Sequence, residues 1–156
     1  MKRAAQAFAC AVTLFFTQAH AAATEHVRRV GHKAVTALQH GLATGEWVEF
    51  FGMLHEHVNF WFPTKREYHH GVGKQVMVDF FTGMNDGKRP PGLGVRFVEP
   101  LRITIGESHY VWEGRVQASN PEGKLIYQNR IMLSLDVCGE QICTYREYFG
   151  SDRNSN

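Results

Sequence analysis

The chain has 156 residues, 17 basic and 15 acidic, with a formal charge of +2. That length holds one domain with a real core and leaves no room for a second. So even a balance provides no Lys/Arg stripe that would point to nucleic acid or an anionic membrane.

Lys2 and Arg3 form a basic start, Ala4 to Phe16 an apolar run, and Ala19-His20-Ala21 an A-x-A site, the order of a cleavable secretory leader. The run is too short to span a bilayer. Residues 1–21 are therefore expected to be a signal peptide, leaving 22–156 as one mature domain in a bacterial periplasm or secreted, with no membrane span after cleavage. Cys10 leaves with the leader, so the mature chain carries an even pair, Cys138 and Cys143. They flank Gly139-Glu140-Gln141-Ile142, which predicts a hairpin turn with the two cysteines opposite each other and a disulfide in an oxidising compartment. A redox-active pair would call for C-x-x-C at a helix start, which this is not.

From Thr24 to Leu42, Val27, Val30, Ala34, Leu38 and Leu42 recur in steps of three or four, one face of a helix. Trp47, Phe50, Phe51 and Leu54 repeat at i, i+3, i+4 and i+7, which predicts a second helix ending at His55 and His57. Val58 to Phe62 reads as a short strand stopped by Pro63. Residues 64–73 read as loop, and Met77, Phe80, Phe81 and Met84 as the face of a third helix. Residues 85–94, NDGKRPPGLG, cannot be regular and are expected to form a lid-like loop.

The pattern then becomes β. Val95 to Ile105 alternates, broken by Pro100; His109 to Ala118 is a second strand; Ser119 to Gly123 is a turn; and Tyr127 to Gly150 is a closing hairpin. Three helices with one strand among them, then four antiparallel strands, give an α+β fold in which helices cover one face of a curved sheet.

The double helix ending in LHEHVNFWFP, the Gly71-Val72-Gly73 entry to the third helix, the strand YVWEG and the closing pair YQNRI and REYFG stand in the order and spacing of a known group. The chain resembles the SnoaL-like branch of the nuclear transport factor 2-like superfamily from about Thr24 to Gly150. The resemblance implies a cystatin-like cone barrel, three N-terminal helices packed on a curved, mostly antiparallel sheet, with a pocket between sheet and helices. It also implies a homodimer through the outer sheet face. The superfamily includes steroid isomerases, polyketide cyclases, epoxide hydrolases and dehydratases, so fold alone assigns no activity. The steroid isomerases' catalytic aspartate falls at about Phe62 here, and their hydrogen-bonding acid near Met132. Neither group can exchange a proton, so an isomerase of that design is not expected.

Strict alternation across the closing hairpin puts Tyr127, Asn129, Ile131, Leu133, Leu135 and Val137 on one face with Ile142, Thr144, Arg146 and Tyr148. The apolar run makes this the inner face. An enclosed Arg146 needs an anion, for which Glu113 is the expected partner. The set is then either a structural ion pair and amide, or a ligand-orienting site in which Glu113 is a general base. His55, continuing the apolar face of the second helix, is the other acid-base candidate. Trp61 and Phe62 would supply apolar walls, so the expected ligand is a small apolar molecule, either simply bound or converted by a cofactor-independent lyase, isomerase or hydrolase. The histidines, His55, His57, His69, His70 and His109 among them, match no established zinc spacing, so no metal site is expected. No phosphate loop or haem motif is present, so no cofactor is called for.

Overall fold

The computed structural model describes residues 2–63, 68–83 and 94–150, with side chains from Ala21 onward save those of Tyr68, His69 and Glu99. Met84, the 85–93 segment of the expected lid and the side chain of His69 lie outside the described residues.

Helix α1 runs Lys2–Thr44, and its stripe of Val27, Val30, Ala34 and Leu38 is buried as its period predicts. Leu42 packs against the same core while partly exposed. Gly31 lets the helix backbone rest on a ring of the sheet: a Cβ built there would stand 2.2 Å from Cγ of Tyr110, which is fully buried. Polar contacts pin the next turn down. Arg29 donates to both carboxylate oxygens of Glu140, at 2.9 and 2.5 Å, and His26 Nε2 lies 2.8 Å from the Gly139 carbonyl. The Arg29 hydrogen bond holds the Glu140 carboxyl below the usual carboxylate range.

Helix α2 is only Val48–Gly52, and strand β1 begins at once, Leu54–Pro63. The expected helix over His55 and His57 is thus corrected. The Met53 carbonyl accepts from the Ile142 N–H at 2.8 Å and Leu54 pairs with Ile142, so the chain enters the sheet where a further helical turn was expected. Strand β2, Tyr68–Val72, occupies what read as loop, because pairing with β1 at an edge does not need an apolar sequence. Helix α3, Lys74–Gly83, buries Met77 and Phe81. Strands β3 (Gly94–Ile105), β4 (His109–Ser119), β5 (Leu125–Cys138) and β6 (Gln141–Phe149) complete one six-stranded sheet in the order β2-β1-β6-β5-β4-β3. Among the described residues only β1 and β6 pair in parallel. Register slips between Val98 and Arg102, flanking Pro100, bend β3 where the sequence predicts it.

The fold is the α+β cone, with helices against a curled sheet. Its core lies between the inner sheet face and α1, α2 and α3, built from Leu38, Phe50, Met77, Phe81, Tyr110, Leu133, Leu135 and Tyr145 among others.

Cys138 and Cys143 stand at disulfide distance, Cα to Cα 5.9 Å. The turn between them is tighter than expected: Cys138 pairs with Gln141 across Gly139 and Glu140, and Gly139 takes φ 58°, the left-handed conformation such a turn requires. So short a loop predicts about 2 kcal/mol of stabilisation from the cross-link. Thiol titration of exported, unfolded protein should find no free thiol before reduction and two after it.

Candidate functional site

The chemistry of the inner face is decided by one residue of β6. Ile142 pairs with Val137, but Thr144 pairs with Asp136, so Cys143 is left over as a bulge. An extra residue exchanges the faces of everything beyond it. Tyr145 and Glu147 therefore point inward and are buried, while Thr144, Arg146 and Tyr148 turn to the outer face.

Tyr145 and Glu147 form a polar pair in apolar surroundings. The Tyr145 hydroxyl donates to Glu147 Oε2 at 2.5 Å, with the two residues 1% and 6% exposed. Burial, reinforced by the Glu147 charge and hydrogen bond, lifts the phenol well above its ordinary range, so Tyr145 is a neutral donor at physiological pH. The Tyr145 ring stands edge-on to Phe50 and Phe81 at 6.1 and 5.9 Å. Trp47, Phe62 and Phe80 extend this ring cluster, and Glu147 lies opposite Leu133.

The cluster packs the α2 and α3 end of the interior. The inner row continues along the sheet through Val95 and Phe97 of β3, Val116 and Ala118 of β4, and Tyr127 and Asn129 of β5. Asn129 Nδ2 donates to the Tyr127 hydroxyl at 3.3 Å. Tyr127 and Phe149 are exposed, so the inner face has an open end among the described residues.

Three of the residues singled out from sequence, Phe62, Tyr127 and Asn129, thus lie on the inner face. The others do not. Glu113 sits between the buried Trp112 and Gly114 and so faces outward, opposite Met132 and Arg102. Arg146 is likewise outside, its Nη1 3.6 Å from Asp136 Oδ2, so the anion beside it is Asp136 where Glu113 was expected. Trp61 pairs with Arg146 across β1 and β6 and stacks edge-on against Tyr148 at 4.7 Å, placing both rings outside. His55 stays at the start of β1, half-buried, its Nδ1 accepting the His57 N–H at 3.1 Å. Among the described residues no three His, Cys, Asp or Glu side chains gather as metal ligands. Strict alternation could not reveal Tyr145 and Glu147. The one available signal was the spacing of large apolar side chains, Ile142 then Tyr145, a step of three inside a strand.

The chain is similar to a crystallised nuclear transport factor 2-like protein from Anabaena variabilis, at 38% identity over 85% of this chain and 96% of that one, TM-score 0.71. A polyketide cyclase-like protein from Xanthomonas campestris (14% identity, 82% and 93% covered, TM-score 0.61) shares the fold. So does a ketosteroid isomerase-like protein from Kribbella flavida (15% identity, 85% and 84% covered, TM-score 0.58). No protein-family model matches the chain, and no curated protein does.

Proposed function

Because this chain belongs to the nuclear transport factor 2-like family, we propose that it is an exported protein holding a small, largely apolar molecule between the inner sheet face and the helices, oriented by Tyr145 and Glu147. The observation that carries this reading is the buried 2.5 Å hydroxyl–carboxylate bond set against the apolar core. A carboxylate has about four lone-pair sites, so the same group can receive a ligand hydroxyl in addition to its partners in the protein. Aromatic and aliphatic walls favour a ring-containing or acyl compound over a sugar or nucleotide. Export is supported by the basic, apolar and small-residue order of residues 2–21 and by the cysteine pair at disulfide distance.

A second reading follows from the same pair. A carboxylate among apolar groups is where a general base is found in cofactor-independent lyases and isomerases, with a neutral phenol beside it to donate to a developing oxyanion. Glu147 then takes the role first assigned to Glu113.

Native mass spectrometry of protein from a periplasmic extract tests both parts. The expected result is a mature mass beginning within a few residues of Ala21, with a small apolar compound retained. Glu147→Gln or Tyr145→Phe should weaken retention about tenfold, one charge-assisted hydrogen bond, with circular dichroism unchanged. Empty wild-type protein would refute the binding reading, and an uncleaved leader would refute export.

A further inference from the structure

A groove of about 750 Å³ runs between helix α1 and the edge strand β3. Its floor includes Ile103, Ile105 and Tyr110. The two isoleucines pair with Trp112 and Tyr110, both buried, which places all of them on the concave side of the sheet. Arg28, His32 and Thr36 line the helix side, spaced four residues apart and so sharing one exposed face of α1. Neither Tyr145 nor Glu147 belongs to this groove, and a second copy on the outer sheet face would leave it open.

Two observations give the groove a chemistry. The Tyr110 hydroxyl is buried at its floor and has no hydrogen-bond partner among the described residues. Buried phenols ordinarily find one, because an unsatisfied hydroxyl has lost its hydration for nothing. Burial pushes the Tyr110 phenol up against the opposing Arg28 charge, so the group is a protonated donor within the field of a guanidinium. The second observation is the polar rim, where Arg28, Arg29 and Lys33 outnumber Glu25 and Glu49. Arg28 commits only Nε, to Glu25 at 3.3 Å, and His32 has no hydrogen bond or ion pair among the described residues. Donors without acceptors therefore gather beside an apolar strip, in which Ile103 is 42% exposed.

We propose that this groove binds a medium-chain aliphatic carboxylate, its head group held by Arg28, His32 and the Tyr110 hydroxyl and its chain laid over Ile103 and Ile105. A carboxylate has about four lone-pair sites, enough to receive a guanidinium, an imidazole N–H and a phenol together. The volume lies within the range of small-molecule sites. One apolar strip beside a polar helix face takes one chain, which separates this ligand from a two-chain phospholipid. The site is independent of the interior pair and of whatever molecule that pair orients.

The test is isothermal titration calorimetry of the mature protein with decanoate, against 1-decanol as its uncharged match. Decanoate should bind more tightly than decanol, and each methylene added between octanoate and decanoate should tighten binding about two- to fourfold. Arg28→Gln should weaken decanoate about tenfold and leave decanol unchanged, the loss of a charge-assisted hydrogen bond. Ile103→Asp, at an exposed position, should weaken both. Tyr110→Phe should weaken decanoate severalfold without lowering the melting temperature of the unliganded protein, because the hydroxyl has no internal bond to lose. Glu147→Gln should leave decanoate unaffected. No binding of decanoate, or binding of decanol as tight, would overturn the proposal, and so would a fall in melting temperature in Tyr110→Phe. Decanoate binding that survives Arg28→Gln but is lost in Glu147→Gln would place the chain in the interior, overturning this site while leaving the interior reading intact.

Discussion

Phe81→Ala is expected to lower stability by about 3–5 kcal/mol, read as a fall in the urea midpoint at constant slope. Phe81 is 1% exposed and touches rings from three other elements: Trp47 at 5.1 Å, Phe50 at 5.6 Å, Phe62 at 6.1 Å and Tyr145 at 5.9 Å. Its removal opens a void that α2, α3, β1 and β6 would all have to close, and rings held on separate elements relax into such a void only in part. With a total stability of about 5–15 kcal/mol, the loss would leave little margin. A change below about 1 kcal/mol would mean that the cluster repacks freely and that α3 does not depend on it.

Gly31→Val should cost about 3 kcal/mol by a different mechanism, overpacking where none is tolerated. The new side chain begins 2.2 Å from Cγ of Tyr110 and 2.5 Å from Cδ2, against a ring fully buried under α1. Neither side can yield cheaply: one is a helix backbone and the other the root of a side chain. The double-mutant cycle with Tyr110→Ala isolates the effect, because once the ring is gone the valine should cost nothing and gain a few tenths of a kcal/mol of helix propensity over glycine. Equal costs in both backgrounds would show that α1 does not dock on Tyr110.

Legibility of the chain followed the number of residues over which a pattern persisted. The apolar stripe of α1 repeats over several turns and was readable through to Leu38. The inward set Ile131, Leu133, Leu135 and Val137 was equally plain from alternation. Leu54 is ambiguous from sequence, since a step of three from Phe51 suits a helix, yet the residue opens a strand whose partner, Ile142, is 88 positions away. Only tertiary pairing settles such a residue. The same limit applies to the site. Alternation places Phe62, Tyr127 and Asn129 inward as the structure does, but it puts every residue beyond Cys143 on the opposite face, because it contains no term for an unpaired residue.

That unpaired residue is itself half of the cystine. Cys143 is the extra position on β6, and Cys138 is the last residue of the strand it pairs against. The cross-link therefore fixes arithmetic as much as it adds stability: it holds in place the odd count that sends a hydroxyl and a carboxylate into the barrel and a guanidinium out of it. Excising this single position would invert the closing strand, so that the interior became cationic and the exterior acidic, with no other letter of the sequence changed. What the cavity contains is thus written in the parity of one strand, and a bond between the two sulfurs keeps that parity from slipping.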